Sequence, residues 1–303
     1  GNRKPLHATG SRRSRAPSRG LGTTGGLPAR ARATRSMGGG GCDAALDRVP
    51  PSPKHQAIRR ALLRWFGREA RDLPWRRTRD PYRIWLAEIM LQQTRVETVI
   101  PYYERFLEVF PTVRALAAAA QDEVLKQWEG LGYYGRARNL HKAARMIVAE
   151  FGGALPRTAE QWRQLPGVGP YTAGAIASIA SGLAEPAVDG NVLRVLSRIF
   201  AIDDCIEDTA GREHITTIAT GLLPPGRAGS FNQALMDLGA RICVPRRPRC
   251  ATCPVARWCD ARRQGRQDEL PVRRVRRATP HRAIVVAAIR RRGRYLIGRR
   301  PAE

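Results

Sequence analysis

Four cysteines, Cys243, Cys250, Cys253 and Cys259, fall within a short stretch in the last quarter of the chain. Their order is Cys-x6-Cys-x2-Cys-x5-Cys, so four thiolates can close round one metal centre. That closure is the strongest constraint on the fold. The segment must curl into a compact loop, and its neighbours must shield it. Zinc knuckles usually supply two close pairs, and here only Cys250 and Cys253 are close. A structural zinc site therefore stands beside a larger cluster as an alternative. No secretory apolar segment accompanies the thiols, which favours metal over disulfides. Cys42 and Cys205 are isolated, the first an idle thiol and the second a small buried residue.

What precedes the loop reads as helix. Ile58, Ala61, Leu62, Trp65 and Phe66 recur at helical spacing. Asp80-Pro81 is a helix start, because Asp caps and Pro fits the first turn. That helix is expected to run through Ile84, Trp85, Ile89 and Met90 to about Val99, with Pro101 opening the next. Further helices are expected over 115–128, 137–151, 158–165, 171–181, 192–200, 209–222 and 230–242. Gly130, Gly132, Gly152-Gly153 and Pro156 punctuate them. The expected fold class is all-α, about ten helices in a domain spanning 54–261. A basic linker is expected over 262–280. Strands are then expected over 283–289 and 295–297, joined at Arg292-Gly293. Two strands cannot hold a sheet alone, so 281–303 reads as the truncated start of a β-containing domain. The longest weakly charged stretch, Tyr171 to Ala184, is too short to span a bilayer, and no membrane partner is expected.

The formal net charge is +27. The first 36 residues contribute +9 and residues 262–303 contribute +11, leaving +7 in the middle. A basic balance points to a polyanionic partner, usually nucleic acid. Residues 1–53 have no hydrophobic period and read as a disordered basic extension. The stretch is acid-poor and rich in Arg and Ser, as transit peptides are, but lacks an amphipathic face. The preferred reading is that residues 1–36 lie upstream of a start at Met37.

Leu165-Pro166-Gly167-Val168-Gly169-Pro170-Tyr171 joins two expected helices. Glycines allow a tight left-handed turn. The second helix then presents free N–H groups and the positive end of its dipole, a seat for phosphate without side-chain charge. The motif is similar to a helix-hairpin-helix DNA-binding element, though an ordinary Gly-Pro connection has the same residues. Two carboxyls have contrasting surroundings. Glu88 lies between Leu86 and Ile89 on a strongly apolar helix, where desolvation raises a carboxyl's pKa and keeps it protonated. The plain alternative is a buried carboxyl paired with an Arg. Asp189 precedes Gly190-Asn191 in a turn before a helix, and a more polar setting is expected to keep it ionised. Its plain alternative is an N-cap.

Hairpin and cysteine loop, in this order, resemble the endonuclease III/adenine glycosylase (HhH-GPD) superfamily over about Ile58 to Cys259. Within it, the closer likeness is to MutY-type A/G-specific adenine DNA glycosylases. The stretches that carry it are LPWR (73–76), WLAEIMLQQT (85–94), GLGYYGRARNL (130–140) and VDGNVLRV (188–195).

The resemblance implies a two-lobed all-α glycosylase. One lobe would run from Tyr82 to about Val195, and the other would join the N-terminal helix to the C-terminal helices and the cysteine loop. It implies a [4Fe–4S] cluster on Cys243, Cys250, Cys253 and Cys259, and double-stranded DNA with A:8-oxoguanine or A:G mispairs as substrate. Glu88 would be the general acid, and Asp189 would stabilise the sugar cation or attack it. Gln92, Gln93 and Tyr133 would fill the gap left by the flipped base or contact its partner. Arg71, Arg76 and Gln233 would lie near the adenine pocket, Asn191 would bind substrate or DNA, and Gly167, Gly169 and Tyr171 would lie in the hairpin. Gln233 stands where a family member carries Glu, and Leu193 where some relatives carry Lys. Bifunctional members use a Lys after the hairpin to form a Schiff base. This chain has Tyr171-Thr172 there and no Lys from 143 to 303, so a monofunctional enzyme is implied. Residues 281–303 resemble the start of a Nudix-like lesion-recognition domain. A monomer in the cytoplasm, nucleoid-associated in a bacterium, is expected. The competing readings are an endonuclease III-like pyrimidine glycosylase/lyase and a catalytically silent DNA-binding module.

Overall fold

The structure, a computed structural model, describes residues 52–274 and 288–296. The expected extension up to 51 and most of the strand at 283–289 lie outside the described residues.

Helix α1 (Pro53–Glu69) starts where the Ser52 hydroxyl accepts from the His55 N–H. Helix α2 (Pro81–Met90) starts where the Asp80 carboxylate accepts from the Tyr82 N–H at 2.8 Å. It stops at Met90, and α3 (Val96–Val109) begins after a turn, so one expected helix to Val99 is two. The apolar period continues through the break and hides it. The break is held from a distance: the Arg136 guanidinium donates to the carbonyls of Ile89 (3.0 Å), Met90 (2.7 Å) and Gln92, and to the Thr94 hydroxyl. Ile89 and Met90 are the last residues of α2, where helix carbonyls lack full intrahelical bonding. Pro101 lies inside α3 rather than opening it.

The expected helix over 115–128 is also two, α4 (Val113–Ala118) and α5 (Gln121–Gln127). The Glu123 carboxylate reaches back to the Ala120 N–H at 2.8 Å and starts the second. Helices α6 (Gly135–Glu150), α7 (Ala159–Arg163), α8 (Pro170–Ala180), α9 (Gly190–Phe200), α10 (Thr209–Leu222), α11 (Ala228–Arg241) and the short α12 (Asp260–Arg263) complete the domain. The all-α expectation holds.

Two hydrophobic cores define two lobes. One gathers Trp85, Phe106, Trp128, Trp162 and Ile176 from α2 to α8. The other gathers Ile58, Leu62, Leu196, Phe231 and Leu238 from α1 and α9–α11. Val192 and Val195 pack in the second core, so the lobe boundary falls before α9, not at its middle. Helices α8 and α11 touch where the lobes meet. A Cβ on Gly229 would lie 2.5 Å from the Ser178 carbonyl oxygen, so only glycine permits that approach.

After α12 the basic segment folds back. Val272 accepts from the Ile206 N–H, the Arg198 guanidinium donates to the Leu270 carbonyl at 2.9 Å, and Arg274 pairs with Asp208. A short antiparallel pair, β1 (Arg290–Arg291) and β2 (Arg294–Tyr295), flanks the expected turn at Arg292-Gly293. Among the described residues no helix is long and apolar enough to cross a membrane.

Candidate active site

The two singled-out carboxyls meet. Glu88 on α2 and Asp189 before α9 line one cleft of about 250 Å³, together with Tyr171, Asn191, Arg76 and Gln233. Glu88 is buried at 6% exposure. The Tyr171 phenol donates to its Oε2 at 2.7 Å, so the Arg-paired alternative is not what is found. Burial lifts the Glu88 carboxyl to about 7, against the Tyr171 hydrogen bond; the Asp189 charge adds to the rise and Arg76 opposes it. Near neutral pH this carboxyl is therefore protonated in a substantial fraction of molecules. Burial and its neighbouring carboxylates push the Tyr171 phenol well up, so it stays a donor.

Asp189 is both an N-cap and a cleft residue. Its Oδ1 accepts from the Val192 N–H at 2.7 Å and its Oδ2 from the Asn191 amide at 2.7 Å. Burial raises its pKa, and those two hydrogen bonds hold the rise back. The polar setting expected for it is present, yet desolvation outweighs it. Asn191 is fixed in turn, since the Arg194 guanidinium donates to its Oδ1 at 2.9 Å and to the Cys243 carbonyl at 2.8 Å. One buried arginine thus links the aspartate's neighbour to the first cysteine of the loop.

Arg71 and Arg76 line the cleft, but their guanidiniums are committed. Both pair with Asp237 of α11, which is fully buried, Arg76 at 2.9 Å. Burial pushes the Asp237 carboxyl up, and the two arginines overcome this and hold it low. Asp237 was not singled out in the sequence. Its signal there is one acid within the apolar run Leu235-Met236-Asp237-Leu238. Gln233, one turn earlier on α11, donates to the Gly229 carbonyl at 3.3 Å and lines the cleft.

The hairpin is α7, a turn and α8. Gly167 has φ +78°, and a Cβ there would lie 2.8 Å from the Asn139 Cβ. Gly169 caps α8 and Pro170 is its first residue. Neither glycine lines the cleft; the hairpin reaches it through Tyr171 and Ile179 of α8.

Gln92, Gln93 and Tyr133 sit on two loops that one residue fastens together. Arg136 binds the 89–94 turn as described, and also donates to the Leu131 and Gly132 carbonyls at 3.3 Å. Sequence reading missed this residue, because its partners are backbone atoms far apart in the chain. Tyr133 is 61% exposed, so it does not pack in the core beside Trp128. Tyr133 (φ +48°) and Gln93 (φ +58°) both adopt left-handed backbone. Non-glycine residues held so cost about 1–3 kcal/mol each. Gln92 donates to the Thr172 hydroxyl at 3.4 Å.

The four cysteines line one cavity with Val195, Ile199 and Leu238. Among the described residues no three His, Cys, Asp or Glu side chains stand close enough to share a single metal ion. Burial pushes the Cys253 thiol up to about 12 and raises Cys250 and Cys259. The Arg198 guanidinium lies 3.4 Å from the Cys243 sulfur and donates to the Val244 and Pro245 carbonyls. Gln267, on the same wall, has a buried amide oxygen without a partner. Four thiols on one cavity are a donor set that fits a metal group.

Residues 86–219 match the HhH-GPD superfamily of base excision DNA repair proteins. The adenine DNA glycosylase of Homo sapiens is 50% identical over 223 residues, 71% of this chain and 41% of its own. That of Buchnera aphidicola subsp. Acyrthosiphon pisum is 37% identical over 220 residues, 72% of this chain and 63% of its own. Among solved structures, a thermostable thymine-DNA glycosylase is similar with a TM-score of 0.65 and 32% identity, over 70% of this chain and 97% of that one. Endonuclease III in a non-covalent DNA complex has a TM-score of 0.58 and 26% identity, over 70% and 97%. The chain belongs to the HhH-GPD superfamily of base excision DNA repair proteins. The curated relatives just described are adenine DNA glycosylases, and the chain spans about half their length.

Proposed function

We propose that the protein is a monofunctional DNA glycosylase that hydrolyses the N-glycosidic bond of adenine mispaired with 8-oxoguanine or guanine. The observation that carries this is the cleft itself, with a buried Glu88 held by Tyr171 and Asp189 on the same cavity.

The duplex rests on the hairpin, where the α8 N-terminus takes a backbone phosphate. The adenine leaves the stack and enters the cleft, while Gln92, Gln93 and Tyr133 occupy or border the gap. Glu88 donates its proton to the base, which departs neutral. Asp189, held by Val192 N–H and Asn191, offers an anion to the developing sugar cation. Water then completes an abasic site. A tyrosine at 171 cannot form an imine, so the strand stays intact. This separates the reading from an endonuclease III-like lyase, although the pyrimidine-type relatives share the fold.

Cys243, Cys250, Cys253 and Cys259 would hold a [4Fe–4S] cluster that stiffens the loop. Arg246, Arg247 and Arg249, exposed on that loop, would then face the DNA backbone. The other parts of this reading are a monomeric enzyme of the cytoplasm, nucleoid-associated in a bacterium, and a Nudix-like domain starting near 281.

The test is incubation with A:8-oxoguanine, A:G and thymine-glycol duplexes, with and without alkali. Adenine release with nicking only after alkali is expected. Thymine-glycol cleavage without alkali, or binding without base release, would overturn it.

A further inference from the structure

The catalytic cleft has a second cavity behind it. This cavity, of about 270 Å³, shares Arg71, Arg76, Ile179 and Gln233 with the cleft, so those four side chains form a common wall. On its far side it is bounded by Thr78, Arg79, Gly182, Arg227 and Ser230. Its volume is near the lower end for small-molecule sites, about 300 Å³.

Helix α8 shows which way each cavity faces. Its N-terminal end is the hairpin, and Tyr171, one residue into the helix, lines the cleft alone. Ile179, about 12 Å further along the axis, lines both cavities, and Gly182 beyond the helix end lines the rear one alone. A duplex seated at the hairpin therefore covers the cleft and leaves the rear cavity on the far end of α8.

The frame of the rear cavity is rigid and its wall is not uniform. The Gly229–Ser178 approach pins α11 to α8. The Asn232 amide donates to the Ser178 hydroxyl at 2.9 Å and to the Glu185 carbonyl at 2.8 Å. Arg71 and Arg76 are held by Asp237. Among the described residues the Gln233 side chain has only a long 3.3 Å bond to Gly229 within its own helix. It can swing without breaking the frame.

We propose that the rear cavity is a transient site and exit for the excised purine base, with Gln233 as the movable part of the wall. This rests on the adenine-excision reading above. The base is cut while the duplex closes the front of the cleft, so leaving by the front requires the abasic product to leave first. At the rear, Arg227 and Arg79 pair with no carboxylate among the described residues, and Arg79 donates to the Ile179 carbonyl at 3.4 Å; their guanidiniums offer planar cations on which a purine stacks.

The test uses a removable difference at one position. Ser230→Cys is compared before and after alkylation with N-benzylmaleimide, with the unsubstituted protein treated identically, and Ser230→Trp is a second plug. Each is mixed with an A:8-oxoguanine duplex carrying radiolabelled adenine. Acid quench gives the excision rate, and rapid gel filtration without quench gives release of base from the enzyme–abasic complex. Plugging is expected to leave excision within about twofold and slow release at least tenfold. Release that keeps pace with excision in the plugged proteins would overturn the exit, as would a plug that slows excision as much as release. Absence of adenine excision by the unplugged protein would instead refute the adenine-excision reading.

Discussion

The Tyr171 phenol donates a 2.7 Å hydrogen bond to Oε2 of Glu88, tying the second helix of the hairpin to the acidic residue of the opposing helix. The bond stabilises the ionised carboxylate and so works against the burial that raises its pKa to about 7. A general acid acts only while protonated, so activity falls as pH rises through that value. Tyr171→Phe removes the restraint and lets the pKa climb. Single-turnover rates between pH 5 and 9 are expected to show the alkaline fall moved to higher pH, with a plateau lowered by about tenfold. An unmoved fall would show that Glu88 is not the titrating acid.

Glu88→Gln removes the proton donor, and excision should drop by about 10²–10⁴. The same change should stabilise the fold at alkaline pH. The folded carboxyl binds its proton more tightly than the unfolded one, so the native state loses stability as pH rises from about 4.5 to about 7. Above that window Glu88→Gln is expected to gain up to about 3 kcal/mol in urea denaturation, and almost nothing at pH 4. An equal gain at both pH values would contradict the raised pKa.

Asp189→Asn separates the cap from the anion. Asn caps helices about as well as Asp, so the melting temperature should change little. Excision should fall at least 100-fold, because the amide offers no charge to the sugar. Retained excision would reduce Asp189 to a cap.

Arg136→Lys keeps the charge but cannot reach six oxygens on two loops. Hydrogen exchange at residues 91–94 and 130–134 should rise. Affinity for an abasic-site duplex should fall about tenfold, with exchange in α10 and α11 unchanged. Uniform exchange across the domain would mean general destabilisation instead.

Iron and sulfide analysis of the purified protein, with its absorbance spectrum, should find about four of each per chain. Cys250→Ser should lose most of both and become protease-sensitive between 243 and 259. Zinc in place of iron would overturn the cluster reading.

Much was legible in the chain because it is local. Asp80-Pro81 marks a helix start by side-chain chemistry within one turn, and 3.6-residue periods mark the buried faces. Glu88 stood out because a carboxylate is costly among Leu86, Ile89 and Met90. The breaks at Leu91–Arg95 and Ala119–Ala120 were not legible, since the apolar pattern runs through both.

By itself the sequence determined the helical class and carried the local signals of the hairpin turn, the four-cysteine loop and Glu88, which depend on neighbours within a few residues; Asp189 stood out through the family resemblance alone. Tertiary structure alone decided that Glu88 meets Tyr171, that Arg71 and Arg76 are bound to Asp237, that Arg136 clasps two loops, and that a second cavity lies behind the cleft. Hydrogen bonds and burial join atoms that are close in space, and no period along the chain records which distant residues share a low-dielectric pocket.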